Sequence, residues 1–160
     1  MTPATFASSG RLGRLALRGA TAASEALFPK NNLGAPDWQS AEVVARLGVY
    51  LGELPPRSRR LILLLFTAVE LWPLLALRFR TFSRLRPEAR LGFVRRWRAS
   101  RLYPVRLIGE STKAVLTMMY LSHPEALRYI GAYTVSPRPG DGLEVKKERL
   151  TVLSAERGPA

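Results

Sequence analysis

The chain has 160 residues, 47% of them hydrophobic, enough for one modest core and too many for disorder throughout. Its 25 Lys+Arg against 12 Asp+Glu give a net charge of +13, carried by 21 Arg and only 4 Lys, a field that favours nucleic acid, an acidic membrane surface or an acidic protein face. Cysteine is absent and His123 is the sole histidine, which excludes disulfides, thiol nucleophiles and thiolate metal sites and leaves any zinc site or Ser-His-Asp triad to one imidazole.

Residues 1–10 are small and polar and read as a flexible N-terminus. At the N-terminus Arg11, Arg14 and Arg18 interrupt every apolar run that a secretory signal would need, and no adjacent Arg pair precedes an apolar run there. Cytoplasmic or membrane-associated residence is therefore expected, with export alongside a partner left open. From Arg11 to Phe28, Leu12, Leu15, Ala16, Ala23, Ala26 and Leu27 recur at near-helical spacing, against the contrary signal of Gly10, Gly13 and Gly19. Pro29 and the Lys30–Gly34 stretch close this helix. Asp37 or Ser40 caps a second one, carrying Val43, Val44, Leu47, Tyr50 and Leu51 and stopping before Pro55-Pro56.

A third helix starts near Pro56 to Ser58 and runs through Leu61–Leu77, LILLLFTAVELWPLLAL, to a break at Pro73. Arginines flank this segment. It has the look of a short membrane span, but about 17 residues is the lower limit for crossing, and Glu70 and Pro73 lie within it, which favours a core helix at the centre of the fold. Pro87-Glu88 opens a fourth helix with Leu91, Val94 and Trp97 at spacing three. Pro104 opens a fifth, to Tyr120 or Leu121, with an apolar stripe of Val105, Ile108, Val115, Leu116 and Met119 and a Glu110–Lys113 pair. Ser122-His123-Pro124-Glu125 has the form of a capping box with Ser122 as N-cap, and the short helix it opens ends near Gly131. Residues 134–160 are rich in Pro, Gly and charge and read as a flexible or partner-ordered tail, in which Leu143, Val145, Leu150, Val152 and Leu153 would allow a short strand. The expectation is an all-α protein: a single compact bundle of about five or six helices over residues 11–133, with an extended C-terminal tail.

Signatures of catalysis are missing: there is no GxSxG elbow, phosphate loop, HExxH or dinucleotide fingerprint. His123 could serve as a general base, but next to Pro124 at a helix start it reads as a surface residue. Glu70 could be a functional carboxylate in an apolar helix, and the plainer reading pairs it with a nearby arginine. Between Arg78 and Arg106 ten arginines accompany one acid, Glu88, with Phe79, Phe82, Phe93, Trp97 and Tyr103 interleaved. Such a mixture binds nucleic acid in some folds; in a helical bundle the aromatics face the core and the arginines water.

Linked segments spread over about residues 20–133 resemble the gluconate 2-dehydrogenase subunit 3 family and the related helical region at the front of some long-chain alcohol oxidases. The likeness is carried by Glu25-Ala26-Leu27-Phe28-Pro29, Leu54-Pro55-Pro56 leading to Glu70-Leu71, and Phe82-Ser83-Arg84-Leu85. It continues through Pro87-Glu88, Arg90, Trp97, Ser100-Arg101, Tyr120-Leu121-Ser122-His123-Pro124 and Ile130-Gly131-Ala132-Tyr133. The resemblance implies a non-catalytic accessory subunit that holds no cofactor or metal and pairs with a large flavoprotein oxidoreductase of the glucose-methanol-choline (GMC) class, in which the partner carries the FAD. Three features depart from the family pattern: no twin-arginine export signal, Arg86 in place of a small N-cap before Pro87-Glu88, and Gly131-Ala132-Tyr133 in place of Gly-Tyr. Arg84, Arg95, Arg96, Trp97, Arg101, Tyr120, His123 and Tyr133 are the candidates for the partner interface, since Arg and aromatic side chains dominate interface energetics. The alternative function is a basic helical module on nucleic acid or an anionic membrane surface, with affinity falling steeply as salt rises.

Overall fold

A computed structural model of the chain describes residue 6 and residues 9–75 and 80–131; Arg78, Phe79, Tyr133 and the proposed tail at 134–160 lie outside the described residues, as does most of the N-terminal stretch. The described residues form six helices and no strand: α1 (Gly10–Leu27), α2 (Val43–Glu53), α3 (Pro56–Leu75), α4 (Pro87–Arg98), α5 (Tyr103–Leu121) and α6 (Pro124–Tyr129), with a 3₁₀ turn at Phe82–Arg84 between α3 and α4. The protein is all-α, as expected.

Proline sets most of the starts. Pro87, Pro104 and Pro124 each stand in the first two positions of their helices, where the missing N–H has no intrahelical partner to lose. The last start corrects the sequence reading. A residue before proline is held in the extended region, so His123, at φ −85° and ψ 132°, is the N-cap and its Nδ1 accepts the Glu125 N–H at 3.3 Å. Ser122 instead donates its hydroxyl to the Met119 carbonyl at 2.7 Å, so the expected capping box does not form. Pro73 also behaves differently from expectation: α3 continues through it to Leu75. At the other end of this helix Arg59 folds back, its guanidinium donating to the carbonyls of Leu51, Gly52 and Leu54 at the end of α2, where cations meet the negative end of the helix dipole.

The apolar segment is not the centre. That position belongs to α1, which packs on α2, α3, the 3₁₀ turn, α4 and α5. All eight of its buried residues are small: Gly13, Ala16, Gly19, Ala20, Ala22, Ala23, Ser24 and Ala26. Its arginines, Arg11, Arg14 and Arg18, stay exposed. The glycines that weaken the helix on propensity are what let backbones meet. A Cβ on Gly19 would lie 2.2 Å from the Phe66 carbonyl oxygen of α3, closer than any real contact, so α1 and α3 touch backbone to backbone. The α4–α5 hairpin also relies on a glycine, since a Cβ on Gly109 would lie 2.8 Å from the Cβ of Trp97.

Around α1, the core is filled by Leu47 and Leu51 from α2, Leu63, Phe66 and Val69 from α3, Phe82 from the turn, Phe93, Val94 and Trp97 from α4, and Leu116, Met119 and Tyr120 from α5. Trp97 is its aromatic focus. It stacks on Phe82 at 5.5 Å and meets the edge of Trp72 at 5.9 Å, drawing the end of α3, the turn and α4 together. Gly19→Ala is expected to lower stability by about 2 kcal/mol, because overpacking outweighs the helix-propensity gain of about 1 kcal/mol. Gly92→Ala, whose Cβ would meet nothing nearer than Arg96 Nη2 at 3.7 Å, should keep that gain. Urea unfolding midpoints of the two variants, moving in opposite directions, check this contrast.

Candidate functional site

Four polar residues from the segments that carry the family resemblance, Glu25, Glu70, Ser83 and Arg90, meet where α1, α3, the 3₁₀ turn and α4 come together. Glu70 is fully buried, at 0% exposure, and its carboxylate accepts the Ser83 N–H at 3.0 Å and the Ser83 hydroxyl at 2.6 Å. The carbonyl of the same serine accepts from Arg90 Nη2 at 2.8 Å, while Arg90 Nε donates to the Leu85 carbonyl at 2.9 Å. The remaining Arg90 nitrogen, Nη1, forms an ion pair with Glu25 at the end of α1. The partner of Glu70 is thus not an arginine, as the sequence suggests. Ser83 sits between acid and base, and the turn that carries it is clamped to α1, α3 and α4.

Chemically this constellation is closed. Both carboxylate oxygens of Glu70 and all three nitrogens of Arg90 are engaged with the protein's own groups. Removing a carboxylate from water costs several kcal/mol unless hydrogen bonds replace the lost hydration, and here Ser83 replaces it from two atoms of one residue. The arrangement is a lock for the segment between α3 and α4.

The candidate interface residues separate into three groups. Trp97, at 2% exposure, and Tyr120, at 7%, are core side chains rather than surface anchors. Tyr120 stacks on Phe28 with centroids 4.2 Å apart and donates its hydroxyl to the Pro36 carbonyl at 2.8 Å, fastening the α1–α2 loop to α5. His123 is half-buried and occupied as an N-cap. Arg84, Arg95, Arg96 and Arg101 are exposed, and Tyr133 lies outside the described residues.

Around the exposed arginines the structure adds residues that helical spacing could not single out. Leu102, Tyr103 and Leu107 lie at the corner where α4 turns into α5, all largely exposed. Arg106 places its guanidinium over the Tyr103 ring at 5.9 Å, and Arg96 lies over Phe93 at 5.4 Å. Arg98 pairs with Glu110 across the hairpin at 3.0 Å, so Glu110 has an interhelical partner in place of the expected Lys113. The corner is therefore basic, with exposed apolar and aromatic side chains at its tip. A shallow groove of about 420 Å³ between α2 and α5, lined by Glu42, Arg46, Val49, Tyr50, Glu53 and Met119 among others, has mixed charge, and Arg46 in its wall already donates to the Ser122 carbonyl at 3.1 Å.

Among the described residues no group of acidic or histidine side chains is arranged to hold a metal, and no helix is long and apolar enough to cross a membrane. Burial pushes the Tyr120 hydroxyl above its ordinary pKa of 10.0, with lesser contributions from Tyr129 and Asp37. The Ser40 N–H and hydroxyl, followed by the Gln39 N–H and Lys30, hold the Asp37 carboxyl below its usual value. No protein-family model, curated protein or solved structure matches the chain.

Two outcomes follow from this geometry. Arg90→Lys should cost about 2 kcal/mol in urea unfolding, because one ammonium cannot serve three acceptors in a planar fork. Glu25→Gln, at a half-exposed partner, should cost less than about 1 kcal/mol. For Tyr120 the folded state holds the phenolic proton more tightly than the unfolded chain. Its contribution is therefore full below the unfolded pKa and is lost as pH rises through the folded one. Stability should fall as pH rises above the ordinary tyrosine value of 10.0, and Tyr120→Phe should flatten that part of the profile.

Proposed function

We propose that this chain is a non-catalytic helical accessory subunit that binds and stabilises a large FAD-dependent oxidoreductase of the GMC class, with the FAD held by the partner. The class of partner rests on the family resemblance. The observation that supports a docking role is the α4–α5 corner, where Arg95, Arg96 and Arg101 are exposed in the same stretch of chain as exposed Leu102, Tyr103 and Leu107. Arg and Tyr are the side chains that most often anchor interfaces, and the guanidinium over Tyr103 holds one such pair together before any partner arrives. An acidic, partly apolar face on the larger subunit is its complement, and stabilisation of that subunit follows by mass action.

Affinity purification of the tagged chain from its native cells should bring down a large yellow protein that releases FAD on denaturation, while the isolated chain has no flavin absorbance. The Arg95→Glu, Arg96→Glu, Arg101→Glu triple variant should retain its circular dichroism and lose the complex, at least about tenfold in affinity. Recovery of no flavoprotein, or of the same complex with the triple variant, contradicts the proposal. Recovery of nucleic acid released by salt favours the basic-module alternative.

A further inference from the structure

α3 is inverted with respect to a helix on the surface of a water-soluble bundle. Glu70, the one charged residue between Leu61 and Leu75, is fully buried, whereas Leu61, Leu64 and Leu75 are 68%, 52% and 76% exposed. At about 3.6 residues per turn, Arg57, Leu61, Leu64, Ala68, Leu71 and Leu75 fall along one stripe, on the opposite side from the buried Leu63, Phe66, Val69, Glu70 and Pro73. The second polar side chain of the segment, Thr67, donates its hydroxyl back to the Leu63 carbonyl at 2.8 Å. From Leu61 to Leu75 this face is apolar for about 21 Å of helix. Along the stripe Leu61, Leu64 and Leu75 are exposed and Ala68 and Leu71 between them half-buried; scattered exposed leucines are ordinary in soluble proteins, but several aligned on one helix with the carboxylate turned inward are not.

The exposed charges nearest the row in the chain are mostly arginines, with Glu53 and Glu88 the nearest exposed acids on either side. Exposed Arg57 and Arg60 stand at its N-terminal end, and exposed Arg80, Arg84 and Arg86 follow in the chain beyond its C-terminal end. Between residues 54 and 87 the sequence has seven arginines and one acid, Glu70, which is consumed by Ser83. We propose that the outward face of α3 seats the protein on an anionic lipid bilayer, with the helix lying in the plane of the headgroups, the leucines in the acyl boundary and Arg57 and Arg60 on lipid phosphates. The length of the helix fits lying on the bilayer rather than crossing it. Composition separates a lipid from a protein occupant: interface anchors are Trp, Tyr and Arg with Leu under-represented, and this row is Leu and Ala with arginine kept to its end. A nucleic acid would have no use for it, since the row offers no donor to phosphate or base. This face shares no residue with the α4–α5 corner, so the inference stands whether or not the flavoprotein partner is found.

Co-sedimentation of the full chain with vesicles tests it. Vesicles of phosphatidylcholine with about 30% phosphatidylglycerol should bind the protein at least about tenfold more tightly than phosphatidylcholine alone. Leu61→Ser combined with Leu64→Ser should weaken that binding about tenfold or more while keeping the fold, with only a small drop in the urea midpoint, because Leu61 is largely and Leu64 about half exposed. Arg57→Ser with Arg60→Ser should keep residual binding but lose much of the preference for anionic lipid. The proposal is overturned if wild type ignores anionic vesicles, or if the Leu61/Leu64 variant binds as wild type does, which would assign the adsorption to arginines elsewhere. It is equally overturned if the leucine variant keeps its lipid affinity but loses a self-associated dimer or the flavoprotein complex.

Discussion

The burial of Glu70 against Ser83 governs the rest of the molecule. A carboxylate in a row of leucines would ordinarily face water and turn the leucines inward. Here both donors of one serine, held in turn by Arg90, replace the water that the carboxylate gives up, and α3 is fixed about its axis the other way round. Two consequences follow together. The carboxylate reaches across to the segment between α3 and α4 and fastens the 3₁₀ turn over the core, and the leucines that would have lined a core are left outside.

The lock operates only because α1 is thin. Its buried side is made of Gly, Ala and Ser, so α3 can approach until the Phe66 carbonyl rests on Gly19, and Glu25 at the far end of α1 can meet Arg90. Backbone contact at one crossing and a polar chain at another supply a specificity that Ala packing by itself would lack, since small side chains interdigitate weakly. A bundle built this way spends its large aromatics elsewhere, around Trp97, and uses Phe28 and Tyr120 to fasten the long α1–α2 loop.

The helix starts marked by Pro56, Pro87, Pro104 and Pro124 were legible because a proline has few places to stand in a helix, whereas the start of α2 was not: Asp37 accepts the Gln39 and Ser40 N–H in the preceding turn, and Glu42, at φ 51°, is the N-cap in place of the expected Asp37 or Ser40. The identity of the central helix was not legible. Glycine in α1 reads as weakness when only local propensity is considered, and its value appears once the Phe66 carbonyl is known to lie against it. The face that α3 buries was also hidden, since a segment apolar all round has no periodicity to read. Only the position of Ser83, thirteen residues away, decides it. At the candidate interface, Arg84, Arg95, Arg96 and Arg101 lie exposed as charge alone would suggest, but Trp97 and Tyr120 are interior, because an aromatic in a basic stretch looks the same in sequence whether it faces water or core. Leu102 and Leu107 gave no signal beyond hydrophobicity.

The rotation of α3 about its axis is the feature on which the lock and the exposed leucine row both rest. Single cysteines introduced along α3 in this cysteine-free chain, followed by their rates of reaction with a water-soluble thiol reagent, measure it directly. Cysteines at Leu61, Leu64 and Leu75 should react at rates close to those in the urea-unfolded chain, while those at Leu63, Phe66 and Val69 are strongly protected. Protection at 61, 64 and 75 with rapid reaction at 63, 66 and 69 would contradict the inward placement of Glu70.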